Sequence, residues 1–308
     1  MHKPSLPSRN SPDWPVLALA AAWLAGVGAG YWVFIRTRWG QAVDGSGMAH
    51  FSELTPLHEV ARLAGTVSVT TLVVGMVLAA IAGLARRRWW LALGAAAAIG
   101  TAMVVTELLK EWVLPRPDFR IGWSLANSYP SGHATAVTVV TLVALVTMPR
   151  SWRRYFLPVA VGVPPLLGAG LVALEWHRAS DVAAACAVAT ACVLVALSLA
   201  GGPVARERAA WARTTPGRGV PFGEGWPRGW SLRLGVAGLA ALGAAVGCGW
   251  LTRAAWDEQS AEFLVDDIST ASLGAADVAI FGLSACLILA AGLGSVASVL
   301  WAADRAKV

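Results

Sequence analysis

Charge is scarce in this chain. Asp, Glu, Lys and Arg make up 14% of its 308 residues against 56% hydrophobic residues, and mean hydropathy is +0.60. A soluble domain needs more charge than this to cover its surface, so a water-soluble globular protein is excluded first. Lysine is rarer still: Lys3, Lys110 and Lys307 are all there is, which leaves Lys110 as the only lysine away from the termini. Cysteine is sparse, and Cys186, Cys192, Cys248 and Cys286 all fall inside apolar runs without metal-ligand spacing. They are expected as small buried hydrophobes rather than disulfides or ligands. The net charge of +6 would suit nucleic acid, but the arginines sit in particular segments between apolar runs, which points to a bilayer instead.

What the chain has in abundance is long apolar runs. A helix that crosses a bilayer needs about 20 mostly apolar residues. Eight runs qualify, near 14–36, 61–84, 89–109, 134–149, 155–175, 182–200, 231–251 and 276–302. The first is too long for a signal-peptide core and no clear small-residue cleavage site follows it, so it is expected as a retained helix. Lys and Arg near span ends mark the cytoplasmic side. Arg86, Arg87 and Arg88, then Arg150, Arg153 and Arg154, then the five arginines of 201–230, then Arg305 and Lys307 all alternate correctly if both termini are cytoplasmic. The 252–275 segment, with Asp257, Glu258, Glu262, Asp266 and Asp267 against Arg253, then lies outside. So does 37–60, where Arg36 and Arg38 are the only misfits to the alternation, expected as an outer loop whose His50 and His58 serve solvent or interface roles. The Gly-, Pro- and Arg-rich stretch 201–230 reads as a basic cytoplasmic linker. It divides a six-span core, 1–200, from a two-span extension, 231–308. The fold class expected is therefore all-α, a polytopic membrane helical bundle.

Three polar clusters interrupt this pattern. Lys110 and Arg116-Pro117 follow the third run, Pro130-Ser131-Gly132-His133 opens the fourth, and His177-Arg178-Ala179-Ser180-Asp181 separates the fifth from the sixth. The topology puts all three on one side of the bilayer, and titratable groups converging at an interface make a candidate site. Lys110 and Arg116 bring positive charge, and the guanidinium fork suits two phosphate oxygens. Ser131-Gly132-His133 begins a helix, where free N–H groups and the dipole face an anion. His177 and Asp181 are four apart, so the carboxylate lies beside the imidazole, fixes its tautomer and leaves the other nitrogen free to attack. The plainer readings are interfacial anchoring for Lys110 and Arg116 and helix capping for Ser131, Ser180 and Asp181. Trp112 and Trp123 are most simply interfacial belt residues.

Lys110…Arg116-Pro117, Pro-Ser-Gly-His at 130–133 and His-x-x-x-Asp at 177–181 together resemble the three signature motifs of the type 2 phosphatidic acid phosphatase (PAP2) superfamily, in its membrane-bound lipid phosphatase branch. The resemblance covers roughly residues 60–200 and implies a six-helix core with two additional C-terminal transmembrane helices. It further implies His177 as nucleophile oriented by Asp181, and His133 as general acid. Lys110, Arg116, Ser131 and the Gly132 backbone would hold phosphate oxygens. No cofactor or metal is implied. The implied substrate is a phospholipid or polyprenyl phosphate, namely a polyprenyl pyrophosphate, phosphatidic acid or phosphatidylglycerol phosphate. It would be hydrolysed through a phosphohistidine at the outer face of the plasma membrane. Two departures stand out. Five residues, not six, separate Lys110 from Arg116, and Gly170-Leu171 stand where the third motif begins with Ser-Arg. Arg178, and more weakly Arg120, are the candidates to replace that arginine. The alternatives are a lipid-linked phosphotransferase and a non-catalytic protein that binds or moves anionic lipids. The last two spans are left as packing partner, homodimer surface or lipid guide.

The arginine alternation predicts that 118–128 and 255–270 face outside and 86–88 and 205–228 inside. Single cysteines placed in 118–128 should react with an impermeant maleimide in intact cells; labelling only after permeabilisation would overturn the outer-site topology.

Overall fold

The computed structural model describes residues 12–54, 56–59, 62, 77, 81, 89–121, 126–148, 150–214, 229–254 and 275–306. The expected span at 61–84 lies, apart from isolated positions, outside them, as do Arg86, Arg87 and Arg88, Trp123, the second half of the linker and the acidic 255–270 segment. The described residues form helices and no strand. In chain order these are α1 (Trp14–Gly30), α2 (Arg38–Ser52), α3 (Trp89–Leu108), α4 (Gly132–Thr147), α5 (Arg150–Ala173), α6 (Ala179–Thr214), α7 (Trp230–Ala254) and α8 (Ala275–Ala306). α1 and α3 each end in a π-helical turn, Tyr31–Ile35 and Leu109–Val113.

Six helical stretches among these are long and apolar enough to cross a membrane: Trp14–Ile35, Trp89–Val113, Trp152–Ala173, Ala179–Ala200, Trp230–Ala254 and Ala275–Ala306. This is the fold class of a helical membrane bundle. α4 has only 16 residues, about 24 Å at 1.5 Å per residue. That is shorter than a hydrocarbon core of about 30 Å, and the helix is instead almost wholly buried by its neighbours.

α6 is the central helix, packing on α1, α3, α4, α5 and α8. Its run of alanines keeps neighbouring backbones close, which is how membrane helices gain packing without a hydrophobic driving force. Val182, Ala185, Val188, Ala189 and Leu194 are fully enclosed. The C-terminal helix is part of the same core. Thr190 Oγ1 donates to Ser295 Oγ at 2.7 Å, and Trp23 Nε1 to Ser298 Oγ at 3.1 Å. The Arg305 guanidinium holds both oxygens of Asp13 at 3.0 and 3.1 Å. The backbone N–H of Asp13 also donates to Ser198 Oγ. The start of α1, the distal part of α6 and the end of α8 therefore share one end of the bundle, and the starts of α4 and α6 lie at the other. α6 also runs on to Thr214, through the first half of the stretch expected as a linker.

The expected outer loop at 37–60 is in large part a buried helix. α2 begins at Thr37, whose hydroxyl accepts from Gly40 N at 2.9 Å, and it encloses Gln41, Asp44, Ser46 and His50. Its polar composition reads as a solvated segment, but each of these groups has a bond inside the protein. Gln41 Nε2 donates to the carbonyls of Ile35 and Pro117, and Asp44 accepts from Ser180. His50, expected to face solvent or the interface, is 7% exposed. It bonds Ser46 O through Nδ1 and faces Asp277 at 3.6 Å. His58 is half-buried on Ser52 O.

Gly40 lets α2 turn back against the end of α1. A Cβ there would stand 2.1 Å from the Val33 carbonyl oxygen and 2.6 Å from Phe34 Cα, both backbone and unable to yield cheaply. Gly40→Ala should destabilise the protein by about 1–3 kcal/mol, the usual cost of overpacking. Thermal unfolding in detergent checks this, and an unchanged Tm would show that the contact yields.

Candidate functional site

The three polar clusters meet at the end of the bundle where α4 and α6 begin. The first is carried by the π turn at the end of α3, a wider turn that often marks functional positions. The chain beyond it is irregular, yet firmly held. Asn127 Nδ2 donates to the carbonyls of Lys110 and Leu114 at 2.7 and 2.8 Å. Tyr31 OH donates to Pro115 O at 2.7 Å, and Gln41 reaches Pro117 O at 3.0 Å. Arg116 is thus positioned by α1 and α2. Its Nη1 is buried with no hydrogen-bond partner among the described residues. Burial and the neighbouring Arg178 guanidinium lower its pKa to about 10, with Asp44 and Asp181 acting the other way. Lys110 pairs with Glu107 at 2.8 Å. The Glu107 Oε1 lies 3.3 Å from where a Gly132 Cβ would be, so a side chain at 132 would press on this ion pair.

The second cluster opens α4. Ser131 is fully buried and its Oγ accepts from Ala134 N at 3.2 Å, so it does cap the helix. Its backbone N–H donates to Asp181 O at 3.1 Å, which joins the start of α4 to the start of α6. Tyr129, just before, is wedged by its hydroxyl on Val27 O at 2.6 Å. Gly30 makes room for it, since a Cβ there would lie 2.8 Å from that hydroxyl. The His133 and His177 rings are 6.0 Å apart between centroids, with Trp176 5.8 Å from His133.

In the third cluster His177 stands in the turn before α6, and Asp181 sits in the first turn of that helix. His177 Nδ1 is 3.7 Å from Asp181 Oδ2. That is an ion-pair distance, longer than a hydrogen bond, as catalytic contacts often are without substrate. Asp181 Oδ2 accepts from Ser128 Oγ at 2.6 Å and from Arg178 N at 2.9 Å. The latter is one half of a capping box, with Arg178 as cap. Arg178 is 6% exposed and its Nη1 donates to the same Ser128 hydroxyl at 3.2 Å.

Lys110, Arg116, Ser131, Gly132, His133, His177, Arg178 and Asp181 are therefore gathered at one place. Arg120 is exposed, has φ +55°, and uses its backbone N–H on Asp118. Leu171, in the place of the motif arginine, is fully buried among Met48, Phe51 and Val182. The sequence reading missed Ser128, which lies two residues before the Pro-Ser-Gly-His tetrapeptide, and Asp44. Asp44 is 3% exposed and accepts from both the backbone N–H and the hydroxyl of Ser180. The one signal for it was an acid in a run of small residues, Asp44-Gly-Ser-Gly-Met.

Residues 89–202 match the family model of the PAP2 superfamily, a segment that runs from the start of α3 into α6. No curated protein matches the chain, and no solved structure does. Gln41 and Asp44, which support the site from α2, fall outside the matched segment.

Burial, and then the Asp181 carboxylate, push the Asp44 pKa up from 3.8 to about 6, against the opposing pull of Ser180 and Arg178. The sign follows directly. Between the two values the folded protein holds more protons than the unfolded chain, so this group's contribution weakens as pH rises through that window. Asn at this position stays neutral throughout. Asp44→Asn should therefore raise Tm relative to wild type at pH 8, with the gain shrinking as pH falls from 6 towards 4. A gain that does not vary with pH would contradict the assignment.

Proposed function

We propose that this chain, which carries a PAP2 superfamily domain at residues 89–202, is an integral membrane phosphatase. It would hydrolyse a lipid phosphate or pyrophosphate through a phosphohistidine at the outer face of the plasma membrane. The observation that carries the reading is the pairing of two imidazoles 6.0 Å apart, one of them with a buried carboxylate behind its Nδ1.

In this reading Asp181 keeps the proton of His177 on Nδ1, so Nε2 attacks phosphorus in line. The P–O bond to the lipid breaks as the N–P bond forms. His133 gives its proton to the departing lipid oxygen, then takes one from the water that cleaves the N–P bond. The balance is lipid phosphate plus water to lipid alcohol plus phosphate, or lipid pyrophosphate plus water to lipid monophosphate plus phosphate. Arg116 and Arg178 would stabilise the charge on the equatorial oxygens, helped by Lys110 and by the N–H groups at the start of α4. The buried Nη1 of Arg116 supports this. A guanidinium donor enclosed without a partner is costly, and a phosphate oxygen would satisfy it. Ser131 Oγ is an acceptor for its own helix, which leaves its hydrogen to donate.

A lipid rather than a soluble substrate is favoured by the setting. A cavity of about 530 Å³ lies between α1, α6, α7 and α8. Leu19, Trp23, Leu239 and Leu287 are among its walls, and Tyr129 and Ser180 line it beside the phosphate-handling cluster. Such a space can lodge a hydrocarbon chain next to the head group.

The test is phosphate release by the full-length protein in mixed micelles from a polyprenyl pyrophosphate, phosphatidic acid and phosphatidylglycerol phosphate. Activity should persist in EDTA, fall with vanadate and drop to background in His177→Ala. Arg178→Ala should lose about 10²–10³ in kcat, the usual worth of a transition-state donor, with Arg178→Lys recovering only part. No release from any of the three lipids, or wild-type rates in His177→Ala, would overturn the proposal.

A further inference from the structure

We infer that Asp44 is a positioning residue for the reaction: it holds the first turn of α6 through Ser180 and so fixes Asp181 against His177. The inference rests on the phosphatase reading for its kinetic consequence, though not for its geometry.

A carboxylate buried as deeply as Asp44 needs partners that satisfy both oxygens, or it costs several kcal/mol. Both of its oxygens are used on one residue. Oδ1 accepts from Ser180 N at 3.2 Å, and Oδ2 accepts from Ser180 Oγ in a short contact. Ser180 N is one of the first amides of α6, a group that the helix itself cannot satisfy. Asp44 thus acts as a cap supplied from 136 positions away.

The next residue is Asp181. Its place depends on how that first turn is held, and each hold comes from a different part of the chain. Ser131 N bonds its carbonyl, Ser128 Oγ bonds Oδ2, and Asp44 bonds its neighbour. Rotating the turn to release any of them would swing the Asp181 carboxylate around the helix axis, while His177 stays in the preceding turn. The His177–Asp181 distance is already 3.7 Å, so little drift is needed to lose the pairing.

The charges around Asp44 are mixed. Arg178 from the α5–α6 turn and Arg116 from the segment after α3 both act on Asp44 favourably, and Asp181 from α6 acts against it. Two guanidiniums and two carboxylates share one enclosed end of the bundle. Asp44 adds the second negative charge without occupying the face of His177 that attacks.

The experiment compares wild type, Asp44→Ala, Asp44→Asn and Ser180→Ala as full-length protein in micelles, each checked for folding by its thermal transition. Asp44→Ala should lower kcat about 10²-fold, the scale expected from misplacing a catalytic group by about 1 Å. Its KM should stay within about threefold, because no ground-state contact is removed. Asn can still accept from Ser180 N and donate to Ser180 Oγ, so Asp44→Asn should recover at least about tenfold of that loss. Asp44→Ala and Ser180→Ala should combine with less than additive effect, as residues in one bond do.

A second readout needs no turnover. In 15N-histidine protein, with His177→Gln to assign the signal, the neutral His177 imidazole should carry its proton on Nδ1 in wild type, where Asp181 faces that nitrogen at 3.7 Å, and should lose this preference in Asp44→Ala. Asp44→Asn should lose less of it. Folded Asp44→Ala with kcat within about threefold of wild type, or with an unchanged His177 tautomer, overturns the inference. A wild type that releases no phosphate, while Asp44→Ala still changes the His177 tautomer, instead overturns the phosphatase reading and leaves the positioning contact standing.

Discussion

Two carboxylates and two guanidiniums are enclosed where α4 and α6 begin, and the arrangement of that end of the bundle follows from the need to neutralise them. A lone buried charge is severely penalised in a low-dielectric surround, whereas a compensated set with hydrogen-bonded oxygens is tolerable. Asp181 is the innermost member. It is reached by Ser128 and by the N–H of Arg178, and its own carbonyl receives Ser131 N. Asp44 is tied to the next residue back, Ser180. These bonds tie α2, the start of α4 and the start of α6 to one another, so the segments that meet there are interdependent.

That interdependence explains why the support extends beyond the family-matched segment. The three polar clusters of the candidate site fall within the matched segment, 89–202. Arg116 nevertheless owes its place to Tyr31 and Gln41, and the start of α6 is held by Asp44. The last helix braces the central one through Ser295 on Thr190, and closes the far end through Arg305 on Asp13. Residues outside the domain thus fix the helices that carry the site, which gives α1, α2 and α8 a part in its geometry.

Most of the bundle was legible in the sequence because hydrocarbon imposes a simple rule: long apolar runs become helices. The runs at 14–36, 89–109, 155–175, 182–200, 231–251 and 276–302 correspond to the six long helices, and the short run at 134–149 to α4. The residues that converge at the candidate site were legible as well, since Lys110, Arg116, His133, His177 and Asp181 stand out against an apolar background. α2 was not. Gln41, Asp44, Ser46 and His50 raise its polarity to that of a loop, and their burial becomes intelligible only once Pro117, Ser180 and Asp277 are seen beside them. Hydropathy records what a residue would prefer in isolation; the partners that reverse that preference lie 76 and 136 positions away. Arg120, the weaker candidate to replace the motif arginine, stands in a left-handed turn that uses its backbone on Asp118 and leaves its side chain exposed.

The replacement of the motif arginine by Leu171 bears on how the proposed clamp and the proposed nucleophile communicate. Leu171 fills the apolar cluster beneath the site, while its carbonyl receives the N–H groups of Trp176 and His177 at 3.2 and 3.4 Å. Leu171 thus shapes the His177 turn through its backbone and brings no charge. Arg178 places a guanidinium one residue beyond the proposed nucleophile, and there it shares the Ser128 hydroxyl with Asp181. The hydroxyl accepts from Arg178 and donates to Asp181, so a chain of bonds runs from guanidinium to hydroxyl to carboxylate, with the imidazole next in line. Bonds in such a chain polarise one another. In the proposed reading an anion drawing on Arg178 would weaken its hold on Ser128 and pass the change to Asp181, so one shared hydroxyl would link the proposed clamp to the proposed nucleophile.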